Sequence, residues 1–178
     1  MSTTSEASTR PKIIDVLAAF DVAAIVEKYP NPSHDRDDPA EVDSDHVHPV
    51  NLSGDAFSEF GELSLDAAPG DFVRWRATAL PFDEDYSVLI YRCVDESGAT
   101  SEFDRLLGLA LLPRLKDGSH QEAEFDTEIV KDQVSAMRLA KTGNPFVRLS
   151  FEIVKGDDVI GYFRWNLGLV IPIGSARA

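Results

Sequence analysis

One cysteine, two methionines and far fewer basic than acidic side chains mark this chain, and each shortage removes a class of protein. The lone Cys93, inside the apolar run SVLIYRCV, can form no internal disulfide. It reads as a buried strand thiol, because no sequence neighbour offers the base a nucleophile needs. Seventeen Lys and Arg stand against 31 Asp and Glu, a net charge of −14 with a sequence pI near 4.5. Such a field repels phosphate backbones and anionic headgroups, so neither nucleic acid nor a membrane surface is an expected partner. No run approaches the roughly 20 apolar residues that span a bilayer. The opening MSTTSEASTR has no apolar core of a secretory signal, so residues 1–10 are expected to be a disordered tail and the protein cytoplasmic. The G-x-S-x-G elbow, the glycine-rich phosphate loop and H-E-x-x-H are all missing. No catalytic residue and no cofactor is therefore expected, and the chain is read as a non-enzyme. With only Met1 and Met137, a methionine-rich storage role is also disfavoured.

What remains is an acidic globular chain of 178 residues, 43% hydrophobic, which suits one domain with a sizeable core. Ile13 to Phe20 alternates, with Ile14, Val16, Ala18 and Phe20 on one face and Asp15 on the other. Asp21 caps a short helical turn, Val22 to Lys28, which Pro30 and Pro32 stop. Leu63 and Leu65 resume the period of two, and Pro69-Gly70 has the residues of a type II turn leading into Phe72 to Ala77. Tyr86 to Val94 is apolar on both faces, the mark of a central strand. Leu106 to Leu112 fits a strand or a buried loop, and Val130 to Lys141 fits a helix or a strand. Phe146 to Val154 has Val147, Leu149, Phe151 and Ile153 inward and Arg148, Ser150 and Glu152 outward; Gly156-Asp157-Asp158 then turns the chain into Val159 to Trp165. Seven or eight strands separated by turns predict an all-β, two-layer antiparallel β-sandwich over residues 11–174, with a second short tail at 175–178.

Potential ligands concentrate between His34 and His48. That stretch has no apolar periodicity and carries six carboxylates, including Asp43 and Asp45, against one Arg36, so it reads as a solvated loop. An EF-hand starting at Asp35 would place Ala40 at the glycine position and His46 at the closing carboxylate, so that motif fails. His46-Val47-His48 puts two imidazoles on one face of an extended segment, and His34 is a conceivable third ligand. His34, Asp43, Asp45, His46 and His48 are thus the metal candidates. Trp75 and Trp165, with Tyr86, Tyr91, Tyr162 and Phe163, could stack against a sugar, but aromatic residues in strands more often pack, so Trp75, Tyr86, Phe151, Tyr162, Phe163 and Trp165 are assigned to the core. Arg74 and Arg76, outward beside Trp75, are expected to pair with carboxylates.

Three co-linear stretches, YPNPS at Tyr29 to Ser33, GDFVRWR at Gly70 to Arg76 and GYFRWNLGLV at Gly161 to Val170, resemble the bacterial inclusion-body proteins of the PixA/AidA family. The resemblance runs from about Ile13 to Ile171. It implies a β-sandwich without established enzymatic activity, a strand at Val130 to Lys141, and an association with proteinaceous inclusions and quorum-controlled host association. It also implies a partner, a second copy of the chain in a homodimer. The alternative is a lectin-like module binding a carbohydrate or other small ligand with help from a divalent cation. The chain departs from the family at Trp165-Asn166-Leu167, where Trp-Asp-Pro is usual.

Overall fold

Apolar alternation, turn residues and one capped helical turn organise the described part of the chain into eleven strands in the computed structural model. It describes residues 10–52, 56–59, 62–80, 85–95, 100–115 and 125–171. The order is β1 (Ile13–Asp21), α1 (Val22–Lys28), β2 (Ala40–Glu41), β3 (Val47–Asn51), β4 (Ala56–Glu59), β5 (Glu62–Leu65), β6 (Phe72–Leu80), β7 (Tyr86–Asp95), β8 (Thr100–Leu115), β9 (Phe125–Leu139), β10 (Phe146–Lys155) and β11 (Asp158–Val170). One sheet runs β3-β1-β6-β9-β8; the other runs β4-β5-β11-β10-β7, with β2 also on β11.

The two-layer β-sandwich is as expected, but its sheets are mixed. β1 lies parallel to β6, and β11 lies parallel to both β2 and β5. Parallel neighbours need a long crossover where antiparallel ones need only a hairpin. The stretch from Val22 to Asp71, with α1 and the loop behind it, is long enough to supply one between β1 and β6.

Inward residues of both sheets meet in one core. Phe20 from the first sheet packs on Phe151 of the second with ring centroids 4.4 Å apart, and edge-on to Trp165 at 6.5 Å. Phe151 stacks on Phe163 at 5.7 Å. Ile14, Val73, Leu63, Leu149 and Leu167 complete the packing with no exposure. The turn Ala68–Asp71 forms as its residues require: Gly70 takes φ +97°, and the Asp71 N–H reaches the Ala68 carbonyl at 3.1 Å. The buried Asp71 carboxylate accepts from the N–H groups of Lys12, at 2.7 Å, and Ala68, at 2.9 Å, tying the start of the chain to this turn.

Two local readings change and two open ones are resolved. β7 is an edge strand of its sheet, although both its faces are apolar. Its outer face is covered by the loop after α1: the Tyr91 hydroxyl donates to the Arg36 carbonyl at 2.9 Å, the Arg36 guanidinium lies 4.5 Å from the Tyr91 ring centroid, and Tyr162 packs edge-on at 5.9 Å. A covering loop and a covering strand leave the same apolar pattern. The His34 to His48 loop is acidic outside but anchored by buried Pro39, Val42 and Val47, and it contributes β2. The ambiguous apolar run Leu106 to Leu112 is the middle of the 16-residue β8, and Val130 to Leu139 belongs to β9, the strand that the resemblance implied. Of the two expected tails, residues 1–9 of the first and all of 175–178 lie outside the described residues.

Candidate functional site

Asp21 accepts the Ala24 N–H at 3.1 Å and so fixes the start of α1. Lys28, in the last turn, is thereby aimed at the acidic loop, where its ammonium meets Asp43 Oδ2 at 2.5 Å and His46 Nε2 at 3.4 Å. The Tyr29 hydroxyl reaches the same Asp43 oxygen at 3.3 Å. The hydrogen bond to Asp43, and after it the Asp43 charge, raises the Lys28 pKa; the Lys28 hydrogen bond and charge lower that of Asp43. Asp43 therefore adds stability above the ordinary carboxylate pKa, and that contribution disappears as pH falls through its lowered folded value. At this fully exposed pair the effect is small and screened by salt.

The metal candidates are divided by this geometry. Asp43 and His46 converge on Lys28, Asp45 and His48 line a cleft, and the exposed His34 joins neither. Among the described residues no three His, Cys, Asp or Glu side chains are grouped as ligands of one ion.

The cleft itself follows from strand pairing. On one edge, β11 pairs with β2 at Phe163 and Arg164, and with β5 from Gly168 onward. Between them, at Trp165 to Leu167, no strand lies beside that edge among the described residues. The Tyr162 N–H and the Arg164 carbonyl point to this edge, bonding to Ser33 and Val42. Strand alternation then turns the Asn166 N–H and C=O the same way. The gap opens into a cleft of about 850 Å³ lined by Asp45, His48, Glu62, Phe146, Trp165 and Gly168, among others.

Phe146 is 70% exposed, the most exposed large apolar side chain among the described residues. It stands across from Gly168 in the β10–β11 ladder. A Cβ placed on Gly168 would lie 3.6 Å from Phe146 Cε1, 3.1 Å from Glu62 Cγ and 3.6 Å from Glu62 Oε1. The missing side chain thus lets a phenyl ring and a carboxylate approach one spot from two sides. Behind Phe146, Arg148 donates to Asn166 Oδ1 at 3.3 Å, Asn166 Nδ2 donates to Glu41 at 3.0 Å, and Glu41 pairs with Arg164 at 3.2 Å. Sequence reasoning passed over Glu62, Phe146 and Gly168. The signal was present in part, since Phe146 has the same parity as the outward Arg148, Ser150 and Glu152.

The YPNPS turn rests on β11 at another glycine. A Cβ on Gly161 would meet Pro32 Cβ at 2.5 Å and Cγ at 2.7 Å, while the Tyr162 N–H donates to the Ser33 carbonyl at 2.8 Å. Two of the stretches that were singled out in the sequence are therefore the two sides of one contact. The profile of the PixA inclusion body proteins matches residues 12–171. The chain belongs to the PixA inclusion body protein family. Its fold also matches the crystal structure of a PixA inclusion body protein from Burkholderia cenocepacia, at 20% identity and a TM-score of 0.72, covering 93% of this chain and 99% of that one. No curated protein matches the sequence.

In this PixA protein Trp75 and Trp165 are each 1% exposed, and Phe151 and Phe163 are fully buried. The tryptophans form no stacking platform. Both indole N–H groups are buried without an acceptor among the described residues. Tyr86 and Tyr162 are partly buried, Tyr86 with the Lys155 ammonium 4.6 Å from its ring centroid. Arg74 forms a two-pronged pair with Asp15, the residue opposite it in the β1–β6 ladder, through Nε at 2.7 Å and Nη2 at 2.5 Å.

Cys93 is partly buried, with Sγ 3.8 Å from Met137 Sδ. Burial, and after it the Asp95 charge, pushes the Cys93 thiol up to about 12 from an ordinary 9.0. The folded protein resists ionising this group, so its stability should fall as pH rises past the unfolded thiol pKa toward the folded one. At pH 8 the native thiolate population should be roughly 1,000-fold below that of the unfolded chain. A chromogenic disulfide reagent should therefore label Cys93 slowly in buffer and rapidly in denaturant; equal rates would show an accessible thiol.

Proposed function

We propose that this PixA protein is a non-enzymatic, self-associating component of proteinaceous bodies inside the cell, with a homodimer as its first assembly. One observation carries the reading: Ile13, Val50 and Leu52, at 49%, 46% and 53% exposure, gather on the outer face of the first sheet beside its edge strand β3. The β1–β3 register sets Val50 opposite Leu17, and Leu52 follows on the same face, its N–H bonded to the Asp15 carbonyl. Family membership supports a second copy as the occupant, since an inclusion body accumulates one chain many times over. Charge opposes association, because copies at −14 repel over long range, so a dimer must be held by a specific apolar or strand-edge contact. The lectin-like alternative receives no support from the matching proteins.

Association should tighten as salt shortens the Debye length, about 8 Å at physiological ionic strength, and grow beyond the dimer near pH 4.5, where repulsion vanishes. In sedimentation, the parent should dimerise at micromolar concentration. Val50→Asp with Leu52→Asp should weaken the dimer roughly tenfold or more by placing carboxylates in the contact. A parent that stays monomeric in every condition, or a double variant that associates equally well, would reject the proposal.

A further inference from the structure

The gap in β11 pairing, the glycine beneath it and the groups around it describe a small-molecule site separate from the self-association face. Glu62 has no cationic partner among the described residues, and the Phe146 ring approaches the same spot over Gly168. A carboxylate beside the face or edge of an exposed ring suits an organic cation: the carboxylate supplies charge and the ring supplies cation–π and apolar contact. Asp45, also in the lining, adds negative potential, and none of the described residues lining the cleft is Lys or Arg. Arg148 donates to Asn166, a residue of the cleft, but is not itself among the residues that line it.

Two residues along β11, about 7 Å at the usual strand rise, lies Asn166. Its backbone N–H faces the gap with no neighbouring strand among the described residues to accept it, and Trp165, next to it in β11, lines the same cleft. An unanswered donor calls for an oxygen. We propose that the cleft binds a hydroxylated organic ammonium, its cation between Glu62 and Phe146 and its oxygen accepting from the Asn166 backbone. A stem of a few carbons spans the distance, and the net charge of −14 raises the local concentration of such cations.

Aminopentanol, with pentylamine and pentanediol as partial mimics, probes both ends. The readout is the indole N–H resonance of Trp165, told from that of Trp75 by its loss in Trp165→Phe. Aminopentanol should shift the Trp165 resonance saturably at millimolar concentration and leave Trp75 unmoved, while pentylamine binds more weakly and pentanediol hardly at all. Glu62→Gln should weaken aminopentanol roughly tenfold, and Phe146→Leu severalfold. Glu27→Gln, an exposed change of equal charge on α1, controls for general attraction and should change nothing. Both cleft substitutions are at partly open positions, and unchanged melting would confirm intact folds. Binding that Glu62→Gln and Glu27→Gln affect equally, or a Trp165 signal that none of the probes moves, overturns the proposal.

Discussion

Replacing Trp165 with alanine is expected to cost about 3–5 kcal/mol, and Trp75→Ala a similar amount, because each empties one of the largest buried volumes in the core. Trp165 packs edge-on to Phe20, which itself lies against Phe151, so its loss loosens the contact between the two sheets. The close packing of the core leaves little room for collapse into the vacated space. Trp165→Phe should be much milder, about 1–2 kcal/mol. It keeps most of the ring volume and removes an indole N–H that is buried with no acceptor, so the loss of packing is partly offset. Urea denaturation followed by circular dichroism measures the difference. If alanine and phenylalanine variants unfold at the parent midpoint, the tryptophans are not structural and the core assignment fails.

Gly161→Ala should cost about 1–3 kcal/mol although it adds only one methyl group. The added Cβ would sit 2.5 Å from Pro32 Cβ, and the proline ring has no rotamer by which to withdraw. Either the turn lifts from β11 or the strand bends. In both cases the bond from the Tyr162 N–H to the Ser33 carbonyl lengthens, and the loop that covers Tyr91 loses its anchor. Hydrogen exchange should show the Tyr162 amide losing protection before the rest of β11. Retained protection at Tyr162 together with parental stability would mean that the turn accommodates the methyl and that the close approach carries no energetic weight.

These two positions divide what the sequence makes legible from what it does not. The alternation in β1 and β10 identified the inward faces correctly, down to Ile14, Phe20, Phe151 and Ile153, because one buried face imposes a period of two on the residues themselves. Asp21 as a cap, Gly70 in its turn and a short helix ended by prolines were equally readable, since each depends on its own few residues. The YPNPS and GYFRW stretches could be recognised as belonging together but not as touching. That Gly161 must lack a side chain because Pro32 lies on it is a fact about two segments far apart in the chain.

Everything that depended on which strands are neighbours was decided by the tertiary structure. β7 looked central, and is an edge strand covered by a loop, because apolar residues record that water is excluded and not what excludes it. The parallel pairing of β1 with β6 left no trace in either strand, since both directions present the same alternating faces. Of the metal candidates, close together in sequence, Asp43 and His46 face Lys28, Asp45 and His48 line a cleft and His34 joins neither, because Val42 and Val47 turn inward and set the residues around them in different directions. The cleft follows from two short strands that leave three residues of β11 without a neighbour on one edge among the described residues, and it joins Asp45, Glu62, Phe146 and Gly168 from four separate stretches. Residue chemistry and spacing act locally and alone determined the faces, turns and caps of this protein; long-range pairing selects which of those faces meet, and that choice made the site.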